Sequence, residues 1–225
     1  QIAYKSMIVN ISDAIVMNAK PLYALLSVAI PKNYTKKELE ELACGFKKAA
    51  NKFGIKIIGG DTIANQKLDI SVTIISKTLN PIFRNGVKKD DLLCYTGSLG
   101  SCKKDLEALF ENKEISNKSK FIKPKLKPKF FYEVAPFITA SMDISDGLFF
   151  ELERLSKASN VGFEFFDEIS EDIGISGEEY EILFSFDKKN LEEIEKIALK
   201  HKIKLTIFAK AVKGKYRTDA KNHHF

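Results

Sequence analysis

The sequence predicts an α+β fold in which helices and strands alternate along the chain. The main observation is that apolar residues repeat every three or four positions in some segments and every second position in others. The length of 225 residues allows one large domain or two of about 100 to 120 residues each. With 44% hydrophobic and 29% charged residues, the composition is that of a globular protein and excludes a disordered or disulfide-stapled chain.

The first half of the chain contains a well-marked helix. Thr35-Lys36-Lys37-Glu38 is a capping box, so a helix is predicted to begin after Thr35 and to end at Gly54. A short apolar strand over residues 55–58 is expected next, followed by a tight turn at Gly59-Gly60. Residues 68–76 alternate between apolar and polar side chains, which predicts a half-buried strand.

The second half continues the alternation of helices and strands. The predicted strands cover residues 92–96, 163–166, 180–186 and 204–212. The predicted helices cover residues 101–110, residues 148 to about 160, and a segment after Asp187, which is suited to cap it. The domain boundary is placed after residue 90, giving domains of residues 1–90 and 91–225.

Membrane and secreted classes are disfavoured. Residues 21–31, the longest uncharged stretch near the start, are roughly half of the ~20 apolar residues that a membrane span needs, and no signal-peptide pattern precedes them. Cys44, Cys94 and Cys102 are too few and too scattered for a zinc site or a disulfide framework. We therefore expect a cytoplasmic protein without a membrane partner.

The net charge of +6 is compatible with nucleic-acid binding, and the types and positions of the basic residues test this interpretation. The basic residues are 33 Lys and only three Arg, although base readout and tight phosphate binding use the planar fork of Arg. The densest basic stretch, residues 113–129, is interrupted by Pro124 and Pro128. We interpret it as a solvated loop or an extended linker, and contact with a polyanion is the less favoured alternative.

Three acidic motifs give the main indication of chemical function. In each of them an apolar segment is followed by Asp beside small residues. The motifs are Ile11-Ser12-Asp13, Ile58-Gly59-Gly60-Asp61-Thr62 and Met142-Asp143-Ile144-Ser145-Asp146-Gly147. A carboxylate at the end of a buried strand is costly unless it is capped, paired or bound to a cation. Each Asp could cap a following helix, but Asp143 and Asp146 together exceed what one helix start needs. Converging carboxylates without matching cations would suit Mg²⁺ shared with a nucleotide.

Two glycine-containing segments, residues 59–60 and 96–101, are loose candidates for phosphate-binding loops, because backbone amides reach an anion where no side chain intervenes. Neither has Walker A or Rossmann spacing, and an ordinary turn is the simpler interpretation of the glycine pair. Residues 176–181, Ser-Gly-Glu-Glu-Tyr-Glu, are interpreted from composition as a solvated acidic loop.

Taken together, six motifs in order resemble the thiamine-monophosphate kinase family, which belongs to the superfamily of aminoimidazole ribonucleotide synthetase and selenophosphate synthetase. They are Asn10-Ile11-Ser12-Asp13, Gly59-Gly60-Asp61-Thr62, Arg84-Asn85-Gly86 with Asp90, Thr96-Gly97-Ser98-Leu99-Gly100, Met142-Asp143-Ile144-Ser145-Asp146-Gly147 and Ser176-Gly177-Glu178-Glu179-Tyr180-Glu181. The resemblance covers nearly the whole chain. It implies two α/β domains of the aminoimidazole ribonucleotide synthetase-like type, with mixed sheets flanked by helices.

The resemblance also implies the reaction: transfer of the ATP γ-phosphoryl group to thiamine phosphate, with several Mg²⁺ ions bridging the phosphates. Asp13, Asp61, Asp143 and Asp146 match the family's metal ligands, Gly60, Asp61, Arg84 and Ser145 match its ATP contacts, and Glu178 matches a substrate contact. No further catalytic residue is assigned, since phosphoryl transfer needs mainly positioning and charge neutralisation. Residues 1–90 would bind ATP and metal and would pair in a homodimer.

The chain departs from the family pattern in three places. Family members begin with a further segment that carries more metal ligands, so the first part of the N-terminal domain is expected to be missing from this sequence. The stretch between Phe166 and Ser176 is short, and the last motif reads Ser-Gly-Glu-Glu instead of Gly-Gly-Glu-Asp. An aromatic residue near the C-terminus often stacks on the thiamine ring in the family, and residues 222–225 stand in that place here.

Two alternatives stay open at this point. One is another kinase or ligase of the same superfamily with a different acceptor, such as a formylglycinamidine ribonucleotide or selenide. The other is a noncatalytic nucleic-acid-binding protein that uses residues 113–129, which predicts a steep salt dependence of binding.

Overall fold

A computed structural model of the protein describes residues 1–220, which form two compact units. Unit 1 comprises Gln1–Ile15 and Ala19–Leu79, and unit 2 comprises Val16–Asn18 and the described residues from Asn80 onwards. The division after Leu79 lies ahead of the boundary that the sequence indicated after residue 90.

Unit 1 is built on a three-stranded mixed sheet. Strand β1 is central, parallel to β2 and antiparallel to β3. The elements in chain order are helix α1 (Ile2–Val16), β1 (Lys20–Pro31), helix α2 (Lys36–Phe53), β2 (Lys56–Asn65) and β3 (Asp69–Lys77). Met7, Ile8 and Ile11 of α1 are fully buried, as is Ala49 of α2, so the helices supply much of the apolar interior of this unit.

Helix α2 confirms the predicted capping box and glycine end. The Glu38 amide donates to Thr35 Oγ1 (3.3 Å), and the Thr35 amide donates to the Glu38 carboxylate (2.7 Å). Gly54 ends the helix in the left-handed conformation, with φ of 68°. Strand β3 shows the predicted alternation between exposed and half-buried residues.

The predicted turn at Gly59-Gly60 is wrong, because β2 continues through both glycines to Asn65. The difference arises because β1 pairs with β2 on both sides of the glycines. The residues near the glycines give no indication of this pairing. Gly60 has φ of 149°, and a Cβ atom there would overlap the carbonyl oxygen of Leu26. Gly60 therefore allows β1 and β2 to approach closely and does not form a turn.

Unit 2 contains a five-stranded antiparallel sheet in the order β5-β7-β4-β8-β6. Its elements are a 3-10 helix (Arg84–Gly86), β4 (Leu92–Thr96), α3 (Ser101–Phe110), α4 (Pro128–Val134), a 3-10 helix (Ala135–Phe137), β5 (Ala140–Asp143), α5 (Leu148–Ser159), β6 (Gly162–Phe165), α6 (Glu171–Gly174), β7 (Ile182–Phe186), a 3-10 helix (Lys188–Asn190), α7 (Leu191–His201) and β8 (Leu205–Val212). Leu148, Leu152 and Leu155 of α5 form one core cluster with Leu93 of β4 and Leu183 of β7. Helix α5 thus packs on the sheet and fixes the loop that precedes it.

The predicted helices α3, α5 and α7 and strands β4, β6, β7 and β8 are all confirmed, within a residue or two at their ends. Asp187 accepts a hydrogen bond from the Lys189 amide at 3.0 Å and so caps the 3-10 helix Lys188–Asn190, whereas the N-cap residue of α7 is Asn190 and not the predicted Asp187. Helices α1, α4 and α6 and strands β1 and β5 were not predicted. The α+β class is confirmed, and the mixed sheet lies in unit 1.

Within residues 1–220, none of the helices combines the length and the apolar character that crossing a membrane requires.

Candidate active site

Two loops of unit 2 lie side by side: the one between β5 and α5, and the turn that precedes β7. The Glu178 amide donates to the Ser145 carbonyl (2.7 Å), and the Tyr180 amide donates to the Ile144 carbonyl (2.8 Å). The Ile144 amide donates in return to the Glu181 carbonyl (2.9 Å). This pairing brings together four of the predicted site residues: Asp143, Ser145, Asp146 and Glu178.

The two aspartates of the first loop differ in exposure. Asp143 is the last residue of β5 and is only 3% exposed, whereas the Asp146 side chain is 25% exposed. Gly147 is the N-cap residue of α5, and no side chain caps this helix. The helix-cap interpretation is therefore wrong for this motif.

A buried glutamate organises the same loop from helix α5. Glu151 is fully buried and accepts hydrogen bonds from the Asp146 amide (3.0 Å), Ser145 Oγ (3.3 Å) and Arg154 Nη1 (2.7 Å). Arg154 also forms an ion pair with Asp146. Burial opposes the charged form of Arg154, but its hydrogen bonds to Glu151 and Asp146 outweigh this and raise its pKa. The spacing of Glu151 and Arg154, one helical turn apart, is the sequence signal that could have indicated this pair.

The turn of residues 176–181 is largely buried, with Gly177 and Glu178 half-buried, so its interpretation as a solvated acidic loop is wrong. Glu179 is fully buried, and its Oε1 accepts from the Gly100 amide (2.7 Å), the Cys102 amide (3.2 Å) and Ser176 Oγ (2.7 Å). Both amides lie at the N-terminus of α3, where a negative charge is favoured. The Gly100 amide of the candidate phosphate-binding loop at residues 96–101 is therefore directed at a carboxylate of the protein itself.

The lysine-rich stretch is only partly solvated. Lys120 and Lys127 have side chains that are 15% and 14% exposed. Lys120 forms ion pairs with Glu179 and Glu181, and Lys127 forms one with Glu181. For these two lysines the interpretation as a solvated linker is wrong, whereas Lys123 is exposed as expected.

Arg84 lies apart from the two loops. It begins the 3-10 helix Arg84–Gly86, and its carbonyl accepts a hydrogen bond from Ser159 Oγ (2.9 Å) at the last residue of α5. Asp146 lies near the first residue of the same helix, and α5 with its 12 residues is about 18 Å long. The Arg84 backbone is thus at the opposite end of α5 from Asp146, and its side chain is exposed.

The other predicted residues belong to unit 1. Asp13 is an exposed residue within helix α1, and Asp61 lies within strand β2, where its Oδ1 accepts from the Thr62 amide (2.8 Å). Neither aspartate caps a helix. Gly60, Asp61 and Thr62 line one side of a groove of about 490 Å³ whose remaining walls are apolar residues of β1 and α2.

Within residues 1–220, no cluster of three or more His, Cys, Asp or Glu side chains is arranged to hold a metal ion. The carboxylates that Asp143 and Asp146 contribute to one loop are the hard oxygen donors that Mg²⁺ prefers. The expectation that these carboxylates have no matching cation is wrong for Asp146, which pairs with Arg154. Residues 222–225, where the resemblance places the residue that stacks on thiamine, lie outside the described part of the chain.

The comparison with known proteins first gives the class. Residues 1–78 match the family described as AIR synthase related protein, N-terminal domain. The fold agrees: superposition on the solved structure of AaThiL complexed with AMPPCP and TMP gives a TM-score of 0.87 at 23% identity, covering 100% of this chain and 80% of the other. The class is thus that of an α+β protein whose first 78 residues match an AIR synthase-related N-terminal domain.

Curated relatives then give the family. The thiamine-monophosphate kinase of Nitrosopumilus maritimus is 32% identical over 215 residues, which covers 87% of this chain and 69% of the relative. That of Pyrococcus horikoshii is 32% identical over 206 residues, covering 84% and 67%. The chain belongs to the thiamine-monophosphate kinase family, and it spans about two thirds of the length of these relatives.

Proposed function

We propose that the protein transfers the γ-phosphoryl group of ATP to the phosphate of thiamine phosphate, producing thiamine diphosphate and ADP. Family membership supports the reaction. The observation that carries it is the 2.7 Å hydrogen bond from the Glu178 amide to the Ser145 carbonyl. This bond holds the turn of Glu178, which matches the family's substrate contact, against the loop of Ser145, which matches its metal and ATP contacts. Phosphoryl transfer requires the two bound phosphates to be held close together in this way.

The proposed roles of the residues follow their chemistry. Asp13, Asp61, Asp143 and Asp146 are proposed as Mg²⁺ ligands, Gly60, Asp61, Arg84 and Ser145 as ATP contacts, and Glu178 as a substrate contact. Bound Mg²⁺ would neutralise the charge of the phosphates. Glu178 would orient thiamine phosphate, and the Arg84 guanidinium would offer a fork of donors to phosphate oxygens. The chain needs no nucleophile of its own, because a phosphate oxygen of the substrate is the attacking atom.

A homodimer is proposed through the open face of the sheet in unit 1. The exposed apolar residues Tyr23, Leu25 and Ile75 share this face with Ile63, which is 58% exposed. A patch of this kind fits a self-complementary interface. Ile63→Asp should shift sedimentation from dimer to monomer, whereas Leu79→Asp, at an exposed residue outside the strands, should leave the dimer intact. A monomeric parent protein would contradict the proposal.

A cytosolic location is also proposed. The three cysteines are free thiols; Cys94 and Cys102 are buried and Cys44 is exposed. Burial raises the pKa of the Cys94 thiol, which keeps it protonated and unreactive. Such thiols are typical of a reducing compartment, and fractionation of the host cell would test the assignment.

The reaction is tested with the full-length protein, ATP and Mg²⁺ against a panel of acceptors, with products separated by chromatography. Thiamine phosphate should yield thiamine diphosphate, and chelation of Mg²⁺ should abolish the product. Turnover of a ribonucleotide or of selenide in place of thiamine phosphate would assign a different member of the superfamily. Salt-sensitive binding of DNA or RNA without any turnover would favour the noncatalytic alternative.

A further inference from the structure

Lys120 lies at the centre of a buried network beside the proposed substrate turn. The chain between α3 and α4 folds back over residues 176–181 and places the Lys120 ammonium against acceptors from two other segments. Its Nζ lies 2.5 Å from the Ser98 carbonyl and 3.2 Å from Glu181 Oε1, and it also pairs with Glu179 Oε2. Two of the acceptors belong to the turn of residues 176–181 that carries Glu178, and Ser98 lies in the loop that precedes α3.

The turn needs external support. Glu178 and Tyr180 both adopt left-handed backbone conformations, with φ of 59° and 48°, which are unfavourable for residues other than glycine. The side chains of Glu179 and Glu181 are both buried, so two like charges lie close together away from water. A cation between them offsets both the repulsion and the loss of hydration.

The orientation of the Glu178 carboxylate depends on the same turn. Tyr180 donates its hydroxyl to Glu178 Oε1 (3.2 Å), and Cys102 Sγ donates to the Glu178 carbonyl (3.2 Å). The Cys102 amide in turn donates to the buried Glu179 carboxylate. A displaced Glu179 would therefore move the contacts that hold Glu178.

We infer that Lys120 is a positioning residue for substrate binding: by pairing with Glu179 and Glu181, it holds the turn that presents Glu178 to thiamine phosphate. The inference rests on the proposed function for the identity of the substrate, but the positioning of the turn stands on geometry alone. Lys127 contacts Glu181 and not Glu179, so its contribution should be smaller.

The charge state of Lys120 agrees with this role. Burial opposes the charged form, but the hydrogen bond to Glu179 and the charges of Glu181 and Glu179 outweigh it and raise the pKa of Lys120. The ammonium therefore stays charged throughout the neutral range.

The kinetic test compares Lys120→Met with Lys123→Met, a matched change at an exposed lysine of the same stretch. Lys120→Met should raise KM for thiamine phosphate at least about tenfold while KM for ATP stays within about twofold, because only the substrate turn is displaced. Lys120→Arg, which restores the charge, should recover most of the loss. An unchanged KM for thiamine phosphate, or equal changes in both KM values, would overturn the inference.

Hydrogen exchange provides a measurement that needs no substrate. The amides of Glu178 and Tyr180, which donate to the Ser145 and Ile144 carbonyls, should exchange faster in Lys120→Met than in the parent protein or in Lys123→Met. Unchanged protection in a folded Lys120→Met variant would overturn the inference, as would loss of protection across all of unit 2. If the parent protein made no thiamine diphosphate, the proposed function would fail, and exchange at residues 176–181 would still decide the role of Lys120.

Discussion

The guanidinium of Arg154 donates a 2.7 Å hydrogen bond to the fully buried carboxylate of Glu151. The other Glu151 oxygen accepts from the Asp146 amide, so this one side chain connects helix α5 to the loop that follows β5. The loop that supplies the candidate metal ligands is therefore held by a charged pair within the protein, independently of any bound ion.

Arg154→Met should destabilise the protein. The substitution leaves the buried Glu151 without its cation, and because Arg154 is itself 40% exposed, we expect a loss of about 2 kcal/mol in the free energy of unfolding. Lys157→Met, at an exposed residue of the same helix, should change it by less than about 0.5 kcal/mol. Urea denaturation of the three proteins measures the difference, and equal midpoints would show that the pair contributes nothing to stability.

Asp143→Asn should abolish most turnover without unfolding the protein. Asn has nearly the same shape as Asp but lacks the charge that a Mg²⁺ ligand supplies, so kcat/KM should fall by at least about 100-fold. The thermal melting curve should show that the variant is folded. A variant that retains Mg²⁺-dependent turnover would remove Asp143 from the metal site.

Arg84→Lys should raise KM for ATP by about tenfold although the charge is kept, because an ammonium cannot form the paired hydrogen bonds of a guanidinium. Arg217→Lys is the matched control, since Arg217 is also exposed and matches no family motif. Steady-state kinetics with varied ATP distinguish the two variants. Identical ATP kinetics in all three proteins would assign Arg84 to an ordinary surface position, which its place at the far end of α5 would then explain.

Glu178→Gln should raise KM for thiamine phosphate by about tenfold or more and leave KM for ATP nearly unchanged, because it removes the charge of the proposed substrate contact alone. Glu168→Gln, at an exposed residue of the same unit, is the control. If the two variants bind thiamine phosphate equally well, Glu178 does not contact this substrate.

The contact between α4 and α7 should depend on pH. Glu133 accepts hydrogen bonds from Lys200 Nζ (2.6 Å) and pairs with His201 Nε2 (2.8 Å), and these partners hold its pKa below the ordinary value of 4.5. Since the folded pKa is the lower one, the stabilisation is present above about pH 4.5 and is lost as the pH falls through the folded value. Glu133→Gln should therefore be less stable than the parent protein at neutral pH and equally stable at strongly acidic pH.

Urea denaturation at both pH values measures this difference, with Glu192→Gln, an exposed first-turn residue of α7, as the control. A gap between Glu133→Gln and the parent protein that stays constant with pH would contradict the assignment.

The elements that the sequence predicted well are those with local signals. Thr35, Glu38 and Gly54 mark both ends of α2 within a few residues of the helix itself, so the prediction needs no knowledge of the rest of the fold. Glycines 59 and 60 were misinterpreted for the opposite reason. Their role depends on β1, a strand whose pairing the local sequence does not reveal.

In the candidate site, too, only the features with a local sequence signal could be predicted. The motifs at Asp143 to Asp146 and at Glu178 can be recognised in the sequence, but the cations that hold them cannot. Lys120 and Glu181 are 61 positions apart, and a lysine-rich, proline-interrupted segment has the composition of a solvated loop. Only the folded chain brings this ammonium to two buried carboxylates.

The most direct test of the central claim is a single-turnover reaction of the full-length protein with ATP radiolabelled at the γ-phosphate, Mg²⁺ and thiamine phosphate, followed by chromatography. We predict that the label moves into thiamine diphosphate and that little appears as inorganic phosphate, because the turn proposed to contact thiamine phosphate is hydrogen-bonded to the loop proposed to contact ATP. Release of the label only as inorganic phosphate, or retention of all of it in ATP while thiamine phosphate is bound, would contradict the proposed reaction.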